Sequence, residues 1–420
     1  MKIEIPYGKG TITADVKEER VAGVIHSGLD EYVPEAGEEE LIRRAMRSPG
    51  GCVTLREMAV GKKKVVILAS DHTRPVPSRQ ILPLMLEEIR TGNPGAEVTI
   101  LIATGCHRGS SREELIHKFG REIVDRERIV IHDCDGPLTC LGVLPSGNEM
   151  WMNSMAAEAD LLVAEGFIEP HFFAGYSGGR KSVLPGVAGR RTIYENHCAQ
   201  FIAHRNARYG VLHENPIHEE MVCAARMAKL AYIVNVVINS SHRVIGAFAG
   251  DMEGAHQAGV QFLDRLCRQR RIPGDIVVVS NNGYPLDQNI YQSVKGMAAA
   301  VPCVKEKGVI VMAAACNDGC GGEAFREIFR SADSPEEVLR RIFKTERHKT
   351  QADQWQAQIL AGILTRNKVI LISDCDRKLV EEMHMIYAQD MEDALAKAEE
   401  IAGRKASVTF LPEGMSAITE

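Results

Sequence analysis

The stretch Lys64–Arg108 reads KVVILAS DHTRP VPSRQILPLMLEEIRTGNPGA EVTILIA TGCHR. Its two apolar runs, Lys64–Ser70 and Glu97–Ala103, are nearly continuous and rich in Val and Ile. That is the pattern of strands buried on both faces. Between them, Ser78–Arg90 carries apolar residues at helical spacing. Strand, helix, strand in that order is the unit of a parallel sheet. The alternation continues outward, with strands expected at Arg128–His132, Asp160–Glu165, Tyr232–Ile238, Asp275–Ser280, Gly308–Ala313, Lys368–Ser373 and Ser407–Leu411. Helices are expected at Ser110–Phe119 with Ser110 as N-cap, and at Pro216–Lys229, Met252–Arg270, Glu336–Phe343, Asp353–Thr365 and Asp390–Gly403. The fold class is therefore α/β, with mostly parallel sheets flanked by helices. The basic stretch Arg268–Gly274 is the best linker. It gives a first domain over 1–270, a second over 275–405, and a tail, 406–420, free to pack back on the first.

The 420 residues are 45% hydrophobic and 25% charged. That balance excludes a disordered or collagen-like chain. No apolar run reaches about 18 residues, so no spanning helix and no membrane partner are expected. A net charge of −6 argues against a global grip on nucleic acid. The 11 cysteines are scattered without a CxxC pair, which speaks against zinc knuckles. Free thiols, and an N-terminus without a signal-peptide apolar core, point to a cytoplasmic protein.

In open parallel sheets, ligands bind beyond the carboxyl ends of the strands. Those ends carry Asp71-His72-Thr73-Arg74, Cys106-His107-Arg108 and Glu169-Pro170-His171. Three rims bearing His or Arg suggest a cleft for an anion and for proton transfer; the alternative is solvated loop histidines. The segment 171–191 adds glycines at 175, 178, 179, 186 and 189 around Arg180 and Lys181. Glycine lets backbone N–H groups approach an anion closely, with the two cations beside them. It resembles a P-loop, but Arg180 stands where the second glycine is required. Gln292 and Lys295 are three apart near a helix start, where an amide and an ammonium on one face could hold a carboxylate.

Taken together, DHTRP (71–75), TGCHR (104–108), EPHFFAGYSGGRKSVLPG (169–186), His197, GAFAGD (246–251) and GYPLDQNIYQSVKG (283–296) resemble the lactate racemase family of nickel-pincer-nucleotide enzymes. The similarity runs over nearly the whole chain. It implies two α/β domains with the active site in the interdomain cleft. It implies that Lys181 tethers the cofactor, a pyridinium-3,5-bisthiocarboxylic acid mononucleotide that binds nickel, and that His197 ligates the metal. His107 and His171 match the acid/base pair. Asp71, His72, Thr73 and Arg74 match the cofactor loop, with Arg74 also facing the substrate beside Gln292 and Lys295. Cys106 and Gly109 depart from the commoner Thr and Pro, which leaves the side chain of the substrate open.

The implied activity is a racemase or epimerase inverting C2 of a small 2-hydroxy acid, lactate or a close relative such as malate or a sugar acid. A nucleotide-binding phosphotransferase using the GGRKS loop is the alternative from another class. Expected partners are the hydroxy acid and the proteins that build the cofactor, with homo-oligomerisation left open.

Overall fold

The computed structural model describes residues 1–420. Two six-stranded sheets form the frame. The first runs Val244–Gly250, Leu230–Ile238, Leu161–Phe167, Lys64–Ser70, Glu97–Ala103, Arg128–Ile131, and only its Val244–Gly250 edge is antiparallel. Lys64–Ser70 is central and buried on both faces. Val65, Ile67 and Ala69 pack on helix Ser78–Gly92, while Val66 and Leu68 face helix Pro216–Met227. Each such Leu or Ile removed from water contributes about 1.5–3 kcal/mol, which is why the continuous apolar run marks this strand. The second sheet is parallel throughout: Ile386–Ala388, Lys368–Ile372, Val304–Ala313, Gly274–Ser280, Val408–Leu411, Val21–Val24.

Three expectations need correction. The first 24 residues, assigned to the first domain, belong with the second sheet. Val21–Val24 is its edge strand, and the hairpin Lys2–Tyr7/Gly10–Asp15 buries Ile5 and Ala14 against Ile276 and Val309. A strand far away in the chain supplies the pairing, so local pattern could not reveal it. The tail is divided. Val408–Leu411 lies inside the second sheet, whereas Ile418–Thr419 pairs with Arg268–Gln269 and Ile418 joins a cluster with Ile168 and Tyr176 of the first domain. Finally, the helix Arg112–Phe119 is capped by Ser111, not Ser110: Ser111 and Glu114 form a reciprocal capping box, and Ser110 is buried against His72.

No helix is long and apolar enough to cross a membrane.

Candidate active site

A cleft of about 410 Å³ lies between the two sheets, at the carboxyl ends of their strands. Asp71, Arg74, His107, His171, Lys181, His197, Gln292 and Lys295 all line it. The structure thus brings together eight of the ten residues singled out from the sequence. His72 and Thr73 are turned away. The Thr73 hydroxyl donates to Asp71 Oδ1 at 2.6 Å, and His72 Nδ1 meets Ser110 Oγ at 2.8 Å. They brace the loop; they do not line the cleft.

That loop is held from behind. Lys118, itself buried, donates to the Arg74 carbonyl at 2.9 Å. Glu165, on the central sheet, accepts from the Ser70 N–H at 2.9 Å and from Ser78 Oγ at 3.1 Å. Burial pushes the Glu165 carboxyl up and the Lys118 ammonium down, and each one's charge opposes the other's shift.

Asp71 is 2% exposed and its Oδ2 lies 2.7 Å from His107 Nδ1. Burial alone would raise its carboxyl. The His107 hydrogen bond and charge, Arg74 and Thr73 outweigh that and hold it well below the usual range. The ionised carboxylate fixes the proton on His107 Nδ1 and leaves Nε2 as a lone pair. His171 is set the other way. Its Nδ1 accepts the Ala174 N–H at 3.2 Å, so the neutral ring carries its proton on Nε2. The ring packs on Phe172 and Phe173, with centroids 5.0 and 4.5 Å away. Burial, then Lys181, Lys295 and Arg74, push its pKa well below the ordinary histidine value.

Lys181 sits on the short turn Gly179–Ser182. Asn235 of the sheet anchors that turn, its Oδ1 accepting the Gly179 N–H at 2.7 Å. Arg180 points the opposite way and is 0% exposed. Its guanidinium donates to the carbonyls of Ala174, Ser177 and Gly178 and to His218 Nδ1. It does not line the cleft, so it offers no hydrogen bond to an anion there. The glycines also differ from expectation. A Cβ at Gly178 would strike Asn235 and Ile168, and one at Gly175 the Val211 carbonyl. These residues admit close protein packing, at positive φ, and the Gly179 and Gly186 N–H groups are bonded within the protein. The loop therefore offers a phosphate neither Arg180 nor those two N–H groups, and Lys181 is the one cation of the pair that reaches the cleft.

Burial and the Arg180 and Arg74 charges push Lys181 well below the ordinary lysine range. That shift favours the neutral amine, the nucleophilic form a covalent tether requires. His197 ends the helix Arg190–Asn196 and is 5% exposed. Its Nδ1–H donates to the Ile193 carbonyl at 2.9 Å, which presents Nε2. Burial, then Lys181, lowers its pKa to about 3. A neutral imidazole oriented by a backbone carbonyl is a metal ligand's arrangement. The only triad of metal-competent side chains, Asp133–Cys134–Asp135, lies on another loop, and Asp135 is paired with Arg190. A metal at His197 would thus draw its remaining donors from a bound group, and a lysine ready to carry one shares the cleft. The residues fit a covalent, metal-bearing cofactor.

The second domain supplies the opposite wall. Helix Ile290–Ala300 begins at Asn289, whose side chain accepts the Gln292 N–H. The Ile290 and Tyr291 N–H groups go to the Gly319 and Cys320 carbonyls, so any carboxylate clamp here rests on side chains. Burial, then Arg74, lowers the Lys295 ammonium to about 8, against the pull of Glu169. Trp355 packs on His197 at 5.0 Å and donates to the Tyr291 hydroxyl at 3.1 Å.

Among the cleft residues given no role from the sequence are Glu169, Tyr291, Asp353 and Trp355. Glu169 precedes His171 by two, within the quoted block. Burial raises its carboxyl against Lys295, Arg74 and Lys181. Asp353, at a helix start, is raised by burial and faces His107 and Tyr291.

Residues 7–210 match the lactate racemase N-terminal domain family and 269–419 the lactate racemase C-terminal domain family. A lactate racemase from Thermoanaerobacterium thermosaccharolyticum is 49% identical, over 99% of this chain and 98% of its own length. One from Lactiplantibacillus plantarum is 48% identical, over 100% and 99%. The solved lactate racemase apoprotein from T. thermosaccharolyticum superposes with a TM-score of 0.97 at 48% identity, covering both chains fully. A Thermotoga maritima protein shares the fold alone, with a TM-score of 0.67 at 18% identity over 93% of this chain and 99% of that one. The matches cover both sheets and the cleft between them, and the chain belongs to the lactate racemase family of isomerases.

Proposed function

We propose that the protein interconverts the enantiomers of a small 2-hydroxy acid, lactate in the first instance, with a nickel pincer nucleotide carried on Lys181. One observation carries the reading: a buried lysine, an imidazole with an outward Nε2, two further histidines and a Gln–Lys pair converge on one cleft. Two relatives named lactate racemase, at 49% and 48% identity, support lactate as the substrate. The phosphotransferase alternative is disfavoured, because Arg180 of the GGRKS loop is sequestered and only its Lys181 faces the cleft.

The C2–H of a hydroxy acid is far too weakly acidic for a histidine to remove. When bound, the cofactor would supply an acceptor for the C2 hydride, so that the substrate passes through a planar 2-oxo acid open to reduction on either face. Lys181 would hold it covalently, and His197 Nε2 would ligate its nickel. Lys295 and Gln292 hold the substrate carboxylate, with Arg74 beside them, and keep the 2-oxo acid from leaving between the two half-steps. His107 receives the hydroxyl proton at Nε2, and the Asp71 carboxylate stabilises the imidazolium that forms. His171 exchanges the proton on the other face. Phe172, Phe173 and Trp355 exclude water. Asp71 and Arg74 are the members of the 71–74 loop assigned to cofactor and substrate. With eleven free cysteines, the proposed setting is the cytoplasm, where proteins that build the cofactor would act on this chain.

The test is racemisation of C2-deuterated lactate in ordinary water by cofactor-loaded protein. Inversion with the label retained supports hydride return. Inversion with the label washed out would establish proton abstraction and reject the mechanism.

A further inference from the structure

Behind the catalytic cleft lies a second chamber of about 430 Å³, bounded by both domains. That volume is in the range of small-molecule sites. Phe172 lines both cavities and forms a shared wall. Its ring is 5.0 Å from His171 on one side and 6.4 Å from Tyr209 on the other. Tyr209, from the first domain, donates its hydroxyl to the Lys295 carbonyl at 3.0 Å. Ala298 and Ala299, on the same helix as Lys295, form part of the far side.

Of the 22 lining residues, 14 are hydrophobic, which leaves little polar surface to orient a ligand. The only formal charges are Arg208 from the first domain and Arg366 from the second; no carboxylate lines the chamber. Nearby Arg205 has an acidic partner, Glu214 at 3.7 Å. Arg208 and Arg366 have none. Both arginines are exposed at the edge of the cavity, so an apolar floor is bordered by two unpaired cations in a chain of net charge −6. Guanidinium matches carboxylate geometry through parallel N–H bonds.

We propose that this chamber is a second ligand site, for an aliphatic monocarboxylate longer than the substrate. The chain would lie among Phe172, Ile202 and Ile359, and the carboxylate between Arg208 and Arg366. Such a ligand touches both domains one helical turn beyond Lys295 and presses on the wall of His171. A short acid lacks the apolar chain, and a long alcohol lacks the charge.

The test is calorimetric titration of cofactor-loaded protein with octanoate, octanol and acetate. Octanoate is expected to bind one to one, at least about tenfold more tightly than octanol or acetate. The double variant Arg208→Gln/Arg366→Gln is expected to weaken octanoate at least about tenfold, and Lys295→Ala to leave it unchanged. Octanoate binding that survives the double variant but fails in Lys295→Ala would place it in the catalytic cleft and overturn the proposal. Equal binding of octanol, or no octanoate binding at millimolar concentration, would also overturn it. So would a dimer seen in sedimentation that Phe343→Ser dissociates: Phe343, 50% exposed at the chamber, would then be covered by a second copy of the chain.

Discussion

His107 and His171 occupy opposite settings within one cleft. His107 has a side chain 47% exposed and hangs from a buried carboxylate. Its Nε2 is a lone pair, and its protonated form has a counter-ion in place. His171 packs on two phenylalanines, is bonded at Nδ1 by a backbone N–H, and faces the charges of Lys295 and Arg74. Its Nε2 carries the proton, and its charged form is opposed by burial and by like charge. In this state His107 is ready to take a proton, whereas His171 must exchange its Ala174 bond or turn its ring to do so. The lesson is that two-faced chemistry does not need two equal bases. The enantiomers of a hydroxy acid have equal free energy, so kcat/KM in the two directions is fixed to be equal whatever the asymmetry. A difference between the rings shows instead in kcat and KM taken separately and, most directly, in the half-reactions.

The largest expected effect comes from removing either ring. His107→Ala and His171→Ala should each slow racemisation by roughly 10²–10⁴-fold, equally from both enantiomers. The comparison sharpens when formation of the 2-oxo acid is followed from each pure enantiomer. One variant should keep the half-reaction of one enantiomer, and the other variant that of its mirror image. If both variants lose the same half-reaction, the two rings do not serve opposite faces.

Asp71→Asn should leave His107 in the cleft without the carboxylate that orients it and balances its imidazolium, lowering kcat on the order of 10²-fold. Its half-reaction losses should follow those of His107→Ala, not those of His171→Ala. Steady-state rates and 2-oxo acid formation in one preparation decide this, and an effect shared evenly between the enantiomers would break the assignment. Lys295→Ala should act on both faces alike. Loss of a charge-assisted hydrogen bond of about 1.5–3 kcal/mol raises KM roughly ten- to hundred-fold. A KM unmoved for two hydroxy acids of different length would take the second domain out of substrate binding.

The smallest effect concerns stability. His197 and His218 are lowered to about 3, and His171 and His256 lie below the ordinary value, all chiefly by burial. The unfolded chain binds a proton at each near about pH 6.5 while the folded chain does not. The stability these groups contribute is therefore complete above that pH and lost as pH falls below it, at up to about 1.4 kcal/mol per pH unit per group. Asp71, lowered in the fold, adds a further loss only below about pH 4. Thermal unfolding of cofactor-free protein should show a falling midpoint between about pH 6.5 and 5. A flat profile there would mean that these rings are not held neutral.

Much of this was legible in the chain. Lys64–Ser70 and Glu97–Ala103 have the bounds expected for them, because nearly continuous apolar runs rich in Val and Ile, closed by polar residues, leave no other period to choose. The site residues were legible because strand ends deliver them. Val244–Gly250 was missed as a strand because VIGAFAG is half Gly and Ala, with weak β-propensity at a sheet edge. Val21–Val24 is too short to announce itself, and its partner lies nearly 400 residues on, at Val408–Leu411. Arg180 was misread because adjacent residues on a tight turn point to opposite sides. Glu169 and Asp353 acquire meaning only from the cations and the histidine that the fold brings to them.

The most direct measurement of the central claim is the intact and peptide mass of protein made together with its cofactor-building proteins, with metal analysis of the same sample. Wild type should carry added mass on the peptide containing Lys181 and one nickel. Lys181→Ala should lack both and have no racemase activity, with the fold unchanged by circular dichroism. Full activity in Lys181→Ala, or in wild-type protein with unmodified Lys181, would contradict the account.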